Sequence, residues 1–456
     1  LVRSLHQIPS LYIEKGKKMK RLFSFRGGVH PPYFKELTSG QPLGRASLPK
    51  KVVIPLSQHT GKPAKPIVKA GDEVKTGQLI GESDGFISLP VHSSLSGKVM
   101  DIKLWPHPLG HTVPSVIIES DGRDEWVSDL TAHEDYFRLS PEELREIVKN
   151  AGIAGLGGAA FPTHVKLTPP ENCEIDTVIL NGCECEPYLT CDHKLMLEYS
   201  REILEGLRII MQAVDADRGI LGVEANKTDV ISLLARELRR EPGIELAVLK
   251  VKYPQGAEKH LIDAVLKRRV PPGKLPLDVG VVVDNVGTAL AIRQAVKRGI
   301  PLIERVVTVT GSGIKQPQNL WVRLGTLFAD VISHCGGLLG NPEKIIAGGP
   351  MMGIAQYTLD VPLIKGTSGI LILSEAEIFP EGDCIRCGKC IDVCPVNLMP
   401  TVIAQHVKQE DWVSTGRYSP FDCMECGACA YVCPAKIPLV QYIKWGKEEV
   451  KERFKR

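Results

Sequence analysis

The apolar positions change their rhythm along the chain, and the changes mark out its parts. Runs over 51–56, 67–68, 78–80 and 98–102 are short, apolar or β-branched, and cut by glycine and proline, which predicts strands. Ahead of them, Arg26-Gly27-Gly28-Val29-His30-Pro31-Pro32 cannot be helix, with paired glycines and paired prolines. A polar, acidic connection over 120–135 leads to Ser140-Pro141-Glu142-Glu143. There Ser is an N-cap, Pro takes the first helical position and Glu143 closes a capping box, so a helix starts, expected to end at Gly152.

Beyond it strand-like and helical stretches alternate. Strands over 177–180, 218–223, 245–253 and 279–285 are interleaved with helices over 197–214, 228–240, 257–267 and 288–298. That β-α-β rhythm predicts a mostly parallel sheet covered by helices. Past Pro301 the pattern returns to strands, over 306–311 and 345–347, around one helix over 327–336. The tail, 437–456, sets Leu439, Tyr442, Ile443 and Trp445 near helical spacing, followed by Lys447, Lys451, Arg453, Lys455 and Arg456. A basic amphipathic helix can lie on an anionic surface, but a contact with a neighbouring protein of an assembly is the expected use.

Composition narrows the class. A chain of 456 residues has room for about three domains. Lys+Arg 56 against Asp+Glu 53 leaves no nucleic-acid footprint over the whole chain. No run approaches the ~18 to 20 apolar residues of a membrane-spanning helix, and residues 1–20 lack a long apolar stretch before a small-residue cleavage site. Met19 follows Glu14-Lys15-Gly16-Lys17-Lys18 and stands just before the first motif, so it is the expected start in place of Leu1.

Thirteen cysteines argue for a reducing compartment. Eight of them repeat one spacing: Cys384, Cys387, Cys390 and Cys394 ahead of Pro395, then Cys423, Cys426, Cys429 and Cys433 ahead of Pro434. The bacterial two-cluster ferredoxin run has this C-x2-C-x2-C-x3-C-P form, in which three thiolates hold one cubane and the fourth ligates the other. Cys384, Cys387 and Cys390 therefore pair with Cys433, and Cys423, Cys426 and Cys429 with Cys394. A disulfide framework needs an oxidising compartment, and zinc sites take paired ligands rather than a triplet with a Pro-flanked fourth. The other thiols, Cys173, Cys183, Cys185, Cys191 and Cys335, are expected to pack.

A second informative block runs from Gly155 to Asp192. Gly155-Leu156-Gly157-Gly158-Ala159-Ala160-Phe161-Pro162-Thr163-His164-Val165-Lys166 clusters glycines where a chain passes close to a flat or phosphorylated ligand, although turns use glycine for the same backbone freedom. Asn181-Gly182-Cys183-Glu184-Cys185-Glu186-Pro187-Tyr188 follows an apolar strand directly. Ligands of open α/β sheets bind at the carboxyl ends of strands, so Asn181, Glu184 and Glu186 stand either at a site mouth or on a solvated acidic turn.

These phrases resemble the flavin- and NADH-binding subunit of respiratory complex I. Gly155, Gly157, Gly158, Phe161, Pro162, Thr163 and Lys166 match its glycine loop; Asn181, Glu184, Glu186 and Pro187 its second phrase; Tyr253, Gly256 and Glu258 its Y-x-x-G-E-E; Asn285 and Thr288 its N-V-E-T. The resemblance implies that these positions surround FMN and nicotinamide. Phe161 and Lys166 would face the dinucleotide, Glu186 and Glu258 the hydride path, and Asn181, Glu184 and Asn285 the flavin. Cys183, Ala257, Ala160 and Leu156 replace an Asp, a Glu, a Gly and an Arg of that pattern.

Two further resemblances complete the chain. Val68 to Gly81 with Ser96-Gly97-Lys98-Val99 resembles biotinyl and lipoyl carrier domains, with Phe86 where the modified lysine would be, which implies an unmodified barrel-sandwich used for docking. The stretch after Pro301, with the tight turn Gly348-Gly349-Pro350-Met351-Met352-Gly353, resembles a β-grasp ligand-binding module.

Over nearly its whole length the chain is similar to the RnfC family of the Rnf electron transport complex, whose signatures F-x-G-G-V-H-P, G-G-x-x-F-P-T and N-G-x-E-C-E-P-Y-L-T-x-D begin here at Phe25, Gly157 and Asn181. The expected fold is multidomain α/β and α+β: an opening over 1–44, a barrel-sandwich β domain over 45–118, a Rossmann-like FMN/NAD(H) domain over 119–300, a β-grasp domain over 301–370 and a helical two-cluster ferredoxin domain over 371–456. The resemblance implies a peripheral subunit on the cytoplasmic face of the cell membrane, in an ion-translocating ferredoxin:NAD oxidoreductase. It would exchange hydride between NAD(H) and FMN and pass single electrons through two [4Fe-4S] clusters. Its partners would be the membrane and flavin/iron-sulfur subunits, with ferredoxin indirect. A flavin and iron-sulfur cobalamin reductase shares the domain set, and an electron relay without nicotinamide binding is the other alternative.

Overall fold

The structure is a computed structural model that describes residues 22–454, with the short strands Ile13–Glu14 and Lys17–Lys18 before them. Met19, the expected start, and the terminal Lys455 and Arg456 lie outside the described residues.

At the centre is a four-stranded, all-parallel sheet in the order Ile244–Leu249, Arg218–Glu224, Thr177–Gly182, Val281–Asn285. Its strands are covered on both faces, which is why they read as nearly unbroken apolar runs. Val178, Leu180 and Val282 pack with the helices Ser200–Ala213 and Val286–Arg298, while Ile179, Val281 and Val283 pack with Glu258–Leu266. The first strand in the chain lies inside the sheet, with the second and third on one side and the fourth on the other. The winding therefore reverses between Thr177–Gly182 and Val281–Asn285, which opens a crevice at their carboxyl ends.

The capping box at Ser140 forms, and its helix runs Pro141–Asn150. Several other elements differ from expectation in their bounds. The helix expected over 197–214 is two, Cys191–Glu198 and Ser200–Ala213, broken where Tyr199 leaves helical geometry. The strand expected over 245–253 stops at Leu249, because the chain beyond it turns away to pair Tyr253 with Val29. The helix expected from Thr288 starts at Val286, since the Asn285 side chain already accepts from the Gly287 N–H as an N-cap.

The barrel-sandwich has one sheet ordered Lys51–Pro55, Thr112–Ser120, Gly97–Pro106, Glu73–Val74 and a second of Lys65–Pro66, Leu79–Glu82 and Val91–His92. Val52, Ile54, Ile80, Val91, Val116 and Ile118 fill it. The strand Thr112–Ser120 escapes a sequence reading because Pro114 interrupts its run.

A six-stranded mixed sheet carries Glu304–Thr310, Gln318–Arg323, Lys344–Ala347 and Gly369–Leu373, with the helix Phe328–His334. Its edges are Ile354–Ala355 and Leu43–Arg45, the latter running parallel to Gln318–Arg323. The opening of the chain is thus stitched to a sheet formed late in the sequence.

The cysteine-rich lobe is helical: Lys389–Asp392, Pro400–Lys408, Trp412–Arg417, Ala428–Tyr431 and Leu439–Phe454. Its internal repeat extends to the backbone, with left-handed residues at Arg386, Gly388 and Asn397 and again at Glu425, Gly427 and Lys436.

Ser200–Ala213 and Val286–Arg298 touch backbone to backbone at Gly206, where an added Cβ would lie 2.1 Å from the Ala289 carbonyl oxygen. Both elements are long helices with no side chain to move aside, so Gly206→Ala is expected to destabilise the central domain by about 1 to 3 kcal/mol. A lowered thermal midpoint in scanning calorimetry would show it; an unchanged midpoint would mean the helices slide apart freely.

Candidate redox site

The glycine loop is a closed hairpin. Ala154 pairs with Pro162, and Gly155 N–H donates to Phe161 O at 2.8 Å. Its base is fixed from below: Leu156 N–H donates to Thr288 Oγ1 at 2.9 Å, and Arg305 Nη2 to Leu156 O at 3.2 Å. A Cβ on Gly157 would meet only Asn285, at 3.6 Å, and one on Gly158 would meet nothing, although its φ of +109° excludes most side chains. The outer face is therefore bare backbone, open to a flat ligand. The barrel-sandwich braces the other side. Thr60 bonds the carbonyls of Ala159 and Ala160, and His164 Nε2 donates to Phe86 O at 3.0 Å, on the hairpin where a carrier lysine would have stood.

Across the crevice, Asn285 Nδ2 donates to Asp192 Oδ2 at 2.7 Å. The Glu184 carboxylate accepts the N–H groups of Asp192 (2.7 Å) and His193 (3.3 Å), at the start of Cys191–Glu198. Burial, then the neighbouring Glu184, push the Asp192 carboxyl up to about 7. Asn181 serves the backbone, donating to Gly256 O at 2.7 Å and accepting from Cys183 N–H at 3.1 Å. Gly256 N–H in turn reaches Cys185 Sγ at 3.3 Å, and burial raises that thiol to about 12.

Lys166 and Glu258 form an ion pair at 2.8 Å, and Lys166 also donates to Val283 O. Burial works against the Lys166 charge, but Glu258 and Asp284 outweigh it and raise its pKa. Asp284 is 3% exposed, and neither carboxyl oxygen has a protein partner. Burial pushes it up to about 6 despite Lys166. Thr163 Oγ1 and both amide atoms of Gln255 are also buried and unpaired. Unpaired buried polar groups on the segments that carry Lys166, Gly256 and Asn285 fit a site built for a polar ligand.

Glu186 and Tyr253 stand on another side of the same loop. Glu186 Oε1 accepts the N–H groups of Met351 (2.6 Å) and Met352 (3.1 Å), and the Tyr253 hydroxyl donates to Cys426 O at 2.7 Å. The glycine loop, Asn285, Thr288, Glu184 and Asn181 therefore gather at the sheet's carboxyl end, with Lys166 and Glu258 paired beside them. Glu186 and Tyr253 point toward the cysteine-rich lobe.

In that lobe Cys394, Cys423, Cys426 and Cys429 line one enclosed cavity with Leu398 and Ile443. Burial, then the proximity of Cys423 and Cys394, raise the Cys426 thiol to about 11. Four cysteine sulfurs around an apolar hole fit a cubane, whose irons would supply the positive charge that thiolates need there. Backbone N–H groups already reach two of the sulfurs, Leu398 to Cys394 at 3.2 Å and Glu425 to Cys423 at 3.4 Å. Cys384 and Cys387 act electrostatically on Cys390, and Cys433 shares an apolar core with Cys390. Cys384 and Cys387 are exposed, the other six ligand candidates less so.

Sequence reasoning passed over Lys35. Its Nζ donates to the carbonyls of Glu184, Glu186 and Leu189 while 9% exposed, and no local pattern marks it. It also read Gly27-Gly28 only as a turn, although Gly28 N–H bonds Val393 O at 2.8 Å.

Comparisons with known proteins agree in order and extent. Family models match as the RnfC barrel sandwich hybrid domain over residues 23–123, the Nuo51 FMN-binding domain over 148–294, the SLBB domain over 306–355 and the 4Fe-4S dicluster domain over 383–437. The C subunit of the Na(+)-translocating ferredoxin:NAD(+) oxidoreductase complex of Acetobacterium woodii is 48% identical over 94% of this chain and 97% of its own. The proton-translocating counterpart of Clostridium ljungdahlii is 49% identical over 94% of each chain. The C subunit of the ion-translocating oxidoreductase complex of Rhodobacter capsulatus is 42% identical over 94% of this chain and 84% of its own. A solved NAD+-reducing [NiFe]-hydrogenase aligns with a TM-score of 0.48 at 20% identity, over 72% of this chain and 64% of that one.

The raised Asp284 predicts a pH signature. The folded protein holds this proton more tightly than the unfolded chain, so stability is lost as pH rises from about 4 through about 6. Asp284→Asn is expected to be more stable than the parent at pH 8, by about 2 to 3 kcal/mol, with the gain vanishing near pH 4. Denaturant titrations at the two pH values measure it; a pH-independent difference would contradict it.

Proposed function

Because this chain belongs to the RnfC family, the C subunits of ion-translocating ferredoxin:NAD oxidoreductase complexes, we propose that it exchanges hydride with NAD(H) at the mouth of its parallel sheet. From there the electrons pass singly through two [4Fe-4S] clusters. The observation that carries this reading is one of continuity. The loop after Thr177–Gly182 is tied through Glu184, Asp192 and Asn285 to the underside of Gly157, and through Glu186 to the Met351 turn beside the cysteine-lined cavity.

Bound FMN supplies the exchange between a two-electron hydride and one-electron carriers. The chain's own residues prepare its place. Gly157 and Gly158 let the backbone approach the ring, and Asn285 sets the start of Val286–Arg298 beside them, where a helix N-terminus favours a phosphate. Asn181 and Glu184 hold the facing loop in shape through its backbone. On the nicotinamide side, Phe161 and Lys166 meet the dinucleotide. Lys166, held by Glu258, is a charged donor that a ligand phosphate can share. Glu258 is the acidic group next to the hydride path. Glu186, expected beside it, holds Met351 and Met352 through one carboxylate oxygen and so also links that path to the turn they form.

The chain is a peripheral subunit on the cytoplasmic face of the membrane, and its partners are the membrane and flavin/iron-sulfur subunits. Supporting this, among the described residues no helix is long and apolar enough to cross a membrane, and a thiolate-rich site survives where the medium is reducing.

Flavin and iron analysis of the purified chain, with NADH titrated against the flavin absorbance, tests the reading. FMN bound one to one and bleached by NADH is expected; a chain that binds no FMN, or whose flavin NADH leaves oxidised, would sink it. Lys166→Met should keep its FMN and weaken NADH binding by about tenfold or more, the worth of a charged hydrogen bond. An unchanged NADH affinity would remove Lys166 from the site.

A further inference from the structure

Three segments far apart in sequence converge on the backbone of two short stretches, Val393-Cys394 and Cys426-Gly427. The first is Tyr253. It is 2% exposed, and its hydroxyl donates to Cys426 O with the Glu186 carboxylate beside it. The second is Gly27-Gly28-Val29. Val29 exchanges both backbone hydrogen bonds with Tyr253, at 2.8 and 2.9 Å, while Gly28 N–H donates to Val393 O. Neither glycine has room for a side chain: a Cβ on Gly28 would lie 2.5 Å from Tyr253 O, and one on Gly27 would lie 3.0 Å from Val393 O and 3.1 Å from Cys394 O. The third is the turn around Met351, gripped by Glu186 from one side. Its Met351 carbonyl lies 2.9 Å from where a Cβ on Gly427 would be. Val29, Tyr253, Cys426 and Ala428 form one buried cluster, with Met351 and Val393 packed on it.

We infer that Tyr253, set by Val29 and Glu186, is a positioning residue that locks the lobe holding Cys394, Cys423, Cys426 and Cys429 onto the loop at the mouth of the parallel sheet. The cluster of those four cysteines is thereby the inner one, next to the flavin site, and the cluster of Cys384, Cys387, Cys390 and Cys433 the outer one. Its meaning for electron flow rests on the proposed function; the lock itself does not.

A tyrosine that only filled space would not need its hydroxyl, and this hydroxyl is aimed at the carbonyl of a ligand residue. Removing it reorients the peptide that follows Cys426, and with it the dipoles around one cluster, while the other keeps its surroundings.

Tyr253→Phe keeps the ring and removes the bond. In the full chain with both clusters, its amide hydrogens over 351–353 and 426–432 should exchange faster than in the parent. The midpoint potential and EPR g-values of one cluster should shift. That cluster should be the one whose signal an aqueous paramagnetic relaxant leaves sharp, because Cys384 and Cys387 face solvent. Electron transfer from reduced flavin to the clusters should slow by about tenfold, in keeping with the steep loss that small misplacements bring. Amide exchange, potentials and spectra identical to the parent would overturn the inference, as would a shift confined to the relaxant-sensitive cluster. Because amide exchange requires no flavin, a chain without FMN would defeat the proposed function and leave the lock to be judged separately. Should Tyr253→Phe fail to fold, Glu186→Gln carries the same exchange and EPR readouts.

Discussion

A backbone that runs through the interior must have its polar groups paired, and the loop from Cys183 to Thr190 is under that constraint from all sides. Its carbonyls are met by buried ammonium groups. Lys35 takes those of Glu184, Glu186 and Leu189, and Lys227 takes that of Cys183. Burial lowers the Lys35 pKa, and Glu184 at 3.9 Å opposes the fall. Lys227 has Glu224 at 3.7 Å, both almost fully buried, and burial pushes Glu224 up while Lys227 holds it down. Thr190 ends the loop in a second network, bonding Thr38, Thr308 and Asn319 of the six-stranded sheet and its neighbour. Loss of one member of a buried charge pair typically costs about 3 to 5 kcal/mol, because the survivor is left without compensation. The loop's shape is therefore strongly determined, and the site depends on that shape.

The same device recurs wherever two lobes meet. Lys365, 1% exposed, donates to Gly152 O and Pro90 O, tying the barrel-sandwich to the start of the glycine loop, and burial brings it down to about 7. Arg305 donates to Lys365 O and Leu156 O, so the six-stranded sheet grips the loop's base. A cation with several donors can satisfy carbonyls from different segments at once, which a neutral side chain does less well.

What could be read from the sequence was local. The parallel sheet follows from the alternation of apolar runs with helical stretches, and the cysteine grouping from two- and three-residue gaps, because both patterns are complete within a few tens of residues. Asn181, Glu184 and Asn285 stand at the carboxyl end of the sheet, where their place after apolar strands put them, and the partners their side chains take there, the backbone of Gly256 and of Asp192 and the Asp192 carboxylate, could not be read from local pattern. Lys35, Asp284 and the partner of Gly28 were invisible for a common reason. Their meaning lies in atoms hundreds of residues away or in the absence of a partner, and neither leaves a periodic trace. Tyr199 broke a helix that its periodicity had joined.

The contact of Gly27 and Gly28 with Val393 and Cys394 also sets an order of events during biogenesis. The two partners lie far apart in the chain, so a ribosome releases the second long after the first has emerged, and the contact closes only after Val393 and Cys394 are free of it. Until it does, Cys394 lacks its cover on that side, whereas Cys384 and Cys387 stay exposed even in the folded chain. The opening of the chain then acts as a closing stitch between the cysteine-rich lobe and the parallel sheet: a polypeptide cut short before Val393 keeps Val29 on Tyr253 but leaves the Gly28 N–H without its partner.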